Sequence, residues 1–345
     1  MPITEITIAN FTVFERLTTR FSNGINVFIG DNGTGKTHLL KFLYALCEWQ
    51  RVKPDDDLGD AFFALLYEFF DMKEDSFWIR DNKKKQEFKV IFDGRRQVSW
   101  LDNLERTHYS EIAQAIRPNA MTDSLGRHLN RIESAFIPAK EMLTHARIEK
   151  DYAYRKLPLD GTLVDIINKA GISVLRQIPD ESLRMLNDIE MLIGGKVVYK
   201  NDTYYIARGG VEYNFRVEAE GYKKLALLSR LIENGVLKNK SILFWDEPES
   251  NINPKNIPTL VDTLLALQRM GVQIFVATHD YLFPKYLEIR RNATDDVLFH
   301  SFSREGCFNE PVTIKSDAFF AGLENNDILN QPIKLYEETI GKGIE

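Results

Sequence analysis

Residues 30–37 read Gly30-Asp31-Asn32-Gly33-Thr34-Gly35-Lys36-Thr37 and match the pattern G-x-x-x-x-G-K-[ST] at every fixed position. Just before them, Ile25-Asn26-Val27-Phe28-Ile29 is a short β-branched and aromatic run, which predicts a buried strand leading in. Just after them, His38-Leu39-Leu40-Lys41-Phe42-Leu43-Tyr44-Ala45-Leu46 carries leucines and aromatics at helical spacing, which predicts a helix leading out. Glycines in such a loop let the backbone curl round an anion without a Cβ in the way. Loop N–H groups and the helix N-terminus then point at the anion. The expected phosphate-binding residues are Asn32, Gly33, Thr34, Gly35, Lys36 and Thr37. Lys36 is suited to the β- and γ-phosphates and the Thr37 hydroxyl to Mg²⁺. The expected ligand is a nucleoside triphosphate.

About two hundred residues later comes Ser241-Ile242-Leu243-Phe244-Trp245-Asp246-Glu247-Pro248. A continuous apolar run ending in two acids describes a buried parallel strand whose carboxyl edge, the edge where ligands bind in open α/β sheets, presents carboxylates. Asp246 is the expected Mg²⁺ ligand, and Glu247 is placed to orient or deprotonate an attacking water. A third apolar strand, Val272-Gln273-Ile274-Phe275-Val276-Ala277, ends in Thr278-His279-Asp280. From there His279 is in reach of a γ-phosphate. The intervening stretch Asn256–Met270 is helical in pattern, so the two strands form a right-handed β-α-β unit.

The order of these motifs resembles an ATP-binding-cassette-type ATPase head, of the class shared by SMC, Rad50 and RecF proteins and the overcoming-lysogenization-defect (OLD) nucleases. The residues that carry the resemblance are Ile8-Ala9-Asn10-Phe11, the run Ile25–Thr37, Asp246-Glu247-Pro248-Glu249 and Ala277-Thr278-His279-Asp280. It implies an α/β P-loop NTPase with a mostly parallel core sheet, an antiparallel β subdomain and a helical arm. It also implies ATP and Mg²⁺ as cofactors, Glu247 as catalytic base, His279 as switch histidine, and Ser250-Asn251-Ile252-Asn253 as the loop that crosses a dimer interface. Members of the class dimerise head to tail, so a homodimer or higher homo-oligomer is expected.

Two departures bear on that dimer. Where the class has a Ser-Gly-Gly signature that caps the partner's γ-phosphate, this chain has Glu218-Ala219-Glu220-Gly221-Tyr222-Lys223-Lys224. Gly221 can open a helix N-terminus toward phosphate, but the serine is absent and two acids flank the place; Lys223 or Lys224 is the candidate compensating charge. The glutamine loop of the class is also missing, since Phe136-Ile137-Pro138-Ala139-Lys140-Glu141 offers no glutamine. Both gaps resemble a degenerate branch of these ATPases, many of which serve bacterial anti-phage and mobile-element systems.

The 345 residues, 44% hydrophobic and 27% charged, suit one large α/β domain with insertions or two domains. Segment boundaries are expected as follows: residues 1–50 for the entry strands and phosphate loop, 51–134 for an antiparallel β and helical insertion, 135–217 for a helical arm with a small β meander, and 218–345 for the second half of the core. In the insertion, Phe77-Trp78-Ile79, Glu87–Phe92 and Gln97–Trp100 read as strands with an Asp93-Gly94 hairpin turn. The tail after Asp295 reads as two strands and a short polar end. Cys47 and Cys307 have no metal-ligand spacing, and no signal peptide is visible, so a reducing, cytoplasmic setting is expected. Apolar runs such as 61–67 are too short to span a bilayer, which excludes a transporter carrying its own pore. A net charge of −6 does not support a general grip on DNA. Lys83-Lys84-Lys85 and Arg95-Arg96 beside Phe77, Trp78 and Trp100 form a candidate local nucleic-acid patch, with solvated turn lysines as the plainer reading.

The expected function is a Mg²⁺-dependent ATPase switch that self-associates with ATP and controls a separate effector, a nuclease being one candidate, in defence or DNA processing. Two alternatives stand beside it: the nucleotide-binding subunit of a transporter, and a scaffold that binds nucleotide without hydrolysing it.

Overall fold

The structure, a computed structural model, describes residues 2–49, 58–71, 80–81, 84–94, 96–101, 132–146, 152, 159–304, 306 and 310–341. In chain order the elements are β1 (Ile3–Phe11), β2 (Phe14–Arg20), β3 (Ile25–Gly30), α1 (Lys36–Trp49), α2 (Leu58–Phe70), β4 (Glu87–Phe92), β5 (Arg96–Leu101) and β6 (Ser134–Ile137). Then follow α3 (Gly161–Gly171), α4 (Asp180–Ile193), β7 (Lys196–Lys200), β8 (Thr203–Arg208), β9 (Val211–Asn214), α5 (Glu220–Glu233), β10 (Ile242–Asp246) and α6 (Ile257–Arg269). The chain closes with β11 (Gln273–Thr278), α7 (Leu282–Arg290), β12 (Val297–Arg304), β13 (Val312–Asp317) and α8 (Asp327–Gly341).

The central sheet runs β13-β12-β3-β11-β10-β6 and is parallel except for the edge strand β13. Its strands are buried on both faces, as continuous apolar runs require. Alternate residues point to opposite cores. Leu243, Trp245, Ile274 and Val276 face the core under α3 to α7. Ile242, Phe244, Phe275 and Ala277 face a second core with α1 and α2. Helix α1 is apolar nearly all round because it is sandwiched between this sheet and a second, antiparallel one of order β2-β1-β4-β5. Phe42 meets Phe11, Phe62 and Phe88 there at edge-to-face angles, the geometry that aromatic quadrupoles favour.

In the turn between β4 and β5 Asp93 and Gly94 take positive φ of 52° and 65°, and Phe92 pairs with Arg96, so the connection is one residue longer than the two-residue hairpin expected from the sequence. Asn10, itself at φ 55°, staples the segment beside this sheet: its side-chain amide donates to the carbonyls of Asp81 and Lys84 and accepts from the Asp81 N–H. The small meander is a three-stranded sheet, β7-β8-β9. A buried polar cluster binds α1 to the helical arm. Lys169 of α3 lies 2.8 Å from Glu48 and 2.8 Å from Asp165, and it also contacts the Tyr44 hydroxyl. Removing one member of such a cluster strands a buried charge.

One expectation changes. The tail past β13 is the fifteen-residue helix α8 and not a short polar end. Its apolar residues Ile328, Ile333, Leu335, Tyr336 and Ile340 are spaced for a helix, with Pro332 in the first turns, and the polar residues between them hid that pattern. Strand-like Phe77-Trp78-Ile79, Lys83 and Arg95 lie outside the described residues. Lys84 is paired with Glu15. Among the described residues no helix is long and apolar enough to cross a membrane.

Candidate nucleotide site

The phosphate loop leaves the carboxyl end of β3 and turns into α1. It is left-handed at Gly33 and Gly35, with φ of 75° and 87°. A Cβ at Gly35 would lie 2.5 Å from Val13 Cγ2 and 2.7 Å from Phe14 Cζ, so the β1–β2 turn closes the loop from behind and only glycine fits. Thr34 braces it by donating to the Asp31 carbonyl at 2.8 Å. The Lys36 ammonium is buried and donates to the carbonyls of Gly30 and Asp31, each at 2.7 Å. Burial lowers its pKa, while Asp246 and Asp31 pull it back up. A cation held by two loop carbonyls suits replacement of those contacts by phosphate oxygens.

Strand β11 lies between β3 and β10, so Asp246 is two strands from the loop, and α1 bridges the gap. The Thr37 hydroxyl, at the start of α1, donates to both Asp246 carboxylate oxygens at 2.9 and 3.1 Å. Burial raises the Asp246 pKa, and the Thr37 bond offsets part of that rise. A hydroxyl and a carboxylate are hard oxygen donors of the kind Mg²⁺ takes. Among the described residues no group of three or more histidine, cysteine, aspartate and glutamate side chains could hold a metal. Mg²⁺ fits this pair as an ion that completes its shell with phosphate and water.

Glu247 follows at φ 49°, an uncommon angle for a residue with a side chain. Its backbone is pinned on both sides: the N–H donates to the Ala277 carbonyl at 2.8 Å, and the carbonyl accepts from Lys224 Nζ at 3.0 Å. His279, exposed at the end of β11, places Nδ1 3.2 Å from Glu247 Oε1. The structure therefore brings Thr37, Asp246, Glu247 and His279 to one sheet edge.

The expected capping segment behaves differently. Gly221, in the first turn of α5, is buried, and a Cβ there would lie 2.5 Å from the Asn251 carbonyl. The glycine thus permits α5 to pack on the loop after β10. Lys223 is buried and bonded to Glu220, Glu218 is paired with Arg208, and Lys224 is spent on Glu247. Neither lysine reaches outward.

Glu249 was quoted in the sequence only as part of a motif, and the structure gives it a distinct environment. It is 9% exposed; Oε1 accepts from the Thr278 hydroxyl at 2.6 Å, and among the described residues Oε2 has no hydrogen-bond partner. Burial pushes its pKa to about 7, against 4.5 for a free glutamate, with the Thr278 bond acting the other way. Its folded pKa lies above the unfolded value, so the native state holds a proton that the unfolded chain releases. The associated stability is complete below about pH 4.5 and is lost as pH rises through about 7. In nucleotide-free, metal-free protein, Glu249→Gln is expected to gain on the parent by on the order of 3 kcal/mol between pH 4.5 and 8, read from urea unfolding at each pH. A constant difference across that range counts against the buried proton.

A cavity of about 1000 Å³ adjoins this edge, lined by Gly30, Asn32, Glu247, Glu249, His279 and one side of α8. No periodic signal in the sequence ties α8 to the site, because the two meet only through the fold.

Residues 1–94 match a family described as "AAA ATPase domain", and residues 151–283 match one described as "AAA domain, putative AbiEii toxin, Type IV TA system". The DNA replication and repair protein RecF of Cytophaga hutchinsonii is 31% identical over 121 residues, 34% of this chain and 29% of that protein. RecF of Clostridium botulinum is 37% identical over 93 residues, 24% of this chain and 26% of that protein. The matched stretches thus span under a third of either relative's length. In fold, the chain is similar to an SMC head bound to the C-terminal winged-helix domain of ScpA, with a TM-score of 0.51 at 13% identity over 93% of this chain and 99% of that one. It is likewise similar to the Pyrococcus furiosus SMC head bound to the C-terminal domain of ScpA, with a TM-score of 0.50 at 14% identity over 98% and 99%. Two ATPase-domain matches on separate parts of the chain and the partial RecF matches support an AAA ATPase of the SMC/Rad50/RecF-like class, and the likeness to SMC heads is one of fold.

Proposed function

We propose that this chain is a Mg²⁺-dependent ATPase switch: it binds ATP in the phosphate loop, self-associates in that state, and controls a separate effector protein. The observation that carries the reading is the meeting of Thr37 with Asp246 beside the Glu247–His279 pair at one sheet edge.

In this reading Lys36 exchanges its two loop carbonyls for β- and γ-phosphate oxygens, and the loop N–H groups from Asn32 to Thr37 hold the remainder. Thr37 and Asp246 are the residues that hold Mg²⁺, which when bound neutralises charge developing on the phosphates. Glu247, held by its pinned backbone, takes the proton of the attacking water through its carboxylate. His279 holds the Glu247 carboxylate in place and shifts toward the γ-phosphate when one is present. Gly221 serves by seating α5 against the loop after β10, through which the ATP-bound state is passed to the interface.

A protein partner is supported by the ScpA domains bound to the SMC heads of like fold. A role in bacterial defence is supported by the toxin–antitoxin description of the family matched at 151–283 and by the degenerate signature. A DNA-linked role rests on the RecF relatives. With Mg²⁺ and ATP, purified protein is expected to release phosphate and, by light scattering, to shift from monomer toward dimer mass. Protein that binds ATP without either change would be a nucleotide-binding scaffold, and the reading fails.

A further inference from the structure

We propose that Glu249 is a positioning residue for hydrolysis: through Thr278 it holds the main chain on both sides of His279, and so sets where the imidazole meets Glu247. The inference rests on the ATPase reading above and adds the group that keeps the Glu247–His279 pair in register.

Three links join the end of β10 to the end of β11. The Glu247 N–H donates to the Ala277 carbonyl at 2.8 Å, Glu249 Oε1 accepts from the Thr278 hydroxyl at 2.6 Å, and Glu247 Oε1 lies 3.2 Å from His279 Nδ1. Ala277, Thr278 and Glu249 are buried, so the first two links are shielded from water. The third is not, since the His279 side chain is 52% exposed. An exposed ring takes its position from the backbone that carries it.

Thr278 is placed to hold that backbone. Its hydroxyl donates to Glu249 and accepts from the Asp280 N–H at 3.0 Å, so one oxygen ties down the residues before and after His279. Asp280 Oδ1 accepts in turn from the Phe283 N–H at 2.8 Å, which fixes the far side of the turn to the start of α7. Glu249 is itself seated, because its carbonyl accepts from the N–H of buried Ile252 at 2.9 Å. A hydroxyl has one proton to donate. The Glu249 oxygen decides where that proton points and leaves a lone pair facing Asp280. Without the carboxyl the hydroxyl is free to turn, and the Asp280 N–H loses a fixed acceptor. His279 then loses the fixed pivot from which it reaches Glu247 or a γ-phosphate.

Packing does not account for Glu249. A buried carboxyl costs stability unless its oxygens are bonded, and Oε2 has no hydrogen-bond partner among the described residues. The one side-chain bond it makes is the bond to Thr278.

The experiment is a mutant cycle in the full-length chain, read by single-turnover phosphate release and by ATP affinity. Glu249→Ala should slow release by about tenfold with ATP affinity held within about twofold, because a small misplacement of a reacting-site group costs rate before it costs binding. Glu249→Gln keeps an oxygen for the Thr278 hydroxyl and should restore the rate to within about threefold of the parent. Thr278→Val keeps the shape and removes the hydroxyl, so it should match Glu249→Ala, and it carries the test if alanine at 249 unfolds the chain. His279→Ala should be slow by itself, and adding Glu249→Ala or Thr278→Val to it should slow release no further. A purely structural role predicts losses that add. Additive losses, a parental rate in Glu249→Ala and Thr278→Val, or a fall in ATP affinity as large as the fall in rate overturns the proposal, while a parent slowed by Glu247→Gln keeps the ATPase reading. A parent that releases no phosphate from ATP overturns both.

Discussion

Glu247→Gln is expected to slow phosphate release by at least tenfold, within the roughly 10²–10⁴-fold that general-base catalysis contributes, while ATP stays bound. The substitution keeps the shape of the side chain and removes its ability to accept a proton. The backbone restraints on residue 247, one from Ala277 and one from Lys224, do not involve the carboxylate, so the φ of 49° survives the change. The contact to His279 Nδ1, 3.2 Å from Oε1, can still form to an amide oxygen. What is lost is chemistry and not architecture. The ATP-bound dimer should accumulate as a result, so the variant should run at dimer mass at ATP concentrations where the parent returns to monomer. Unchanged single-turnover rates would remove Glu247 from the base role and direct attention to His279.

Lys36→Ala is expected to weaken ATP binding by on the order of 100-fold, about 3 kcal/mol, the worth of one or two charge-assisted hydrogen bonds to phosphate. The ammonium is already desolvated in the free protein, where burial lowers its pKa and, among the described residues, two loop carbonyls are its hydrogen-bond acceptors. Much of the cost of preparing this cation for phosphate is therefore met on folding. Its removal takes that preorganisation away at a stroke. Thermal unfolding of the nucleotide-free variant should change little, since a buried ammonium contributes little net stability of its own. Titration of a fluorescent ATP analogue into the variant, with the unfolding midpoint recorded in parallel, separates lost binding from lost fold. Affinity within threefold of the parent would show that the loop amides alone carry the triphosphate.

Much of this site was legible from residue order because phosphate chemistry constrains local sequence tightly. Gly30–Thr37 needs glycine where the loop turns left-handed, a lysine for charge and a hydroxyl for the ion, and each requirement is met within eight residues. The runs 242–246 and 273–278 read as buried strands because a parallel sheet covered on both faces leaves no polar alternation to confuse the pattern. The Asp93-Gly94 hairpin was equally plain, since few other dipeptides accept two positive φ angles in succession.

Other features had no local signature. Gly221 looked like the opening of a phosphate-facing helix, yet its lack of a Cβ serves the approach of α5 to Asn251, a contact thirty residues distant in sequence. Lys223 and Lys224 read as candidate charges compensating for the missing serine, and both are buried, one within its own helix turn and the other on the carbonyl of the proposed base. Asn10 belonged to a quoted motif, but its role as a staple to Asp81 and Lys84 depends on strand pairing seventy residues apart.

By itself, then, the amino-acid sequence determined that a phosphate-loop pattern stands at Gly30–Thr37 between a strand and a helix, and that acids and a histidine stand at the ends of two later strands, because those needs are met by neighbours in the chain. Only the tertiary structure decided that β11 separates β3 from β10, that α8 walls the cavity beside the phosphate loop, and that among the described residues the cavity lining is acidic with no lysine or arginine. Those properties arise from residues hundreds of positions apart, and charge at a site is the sum over everything that folding gathers there.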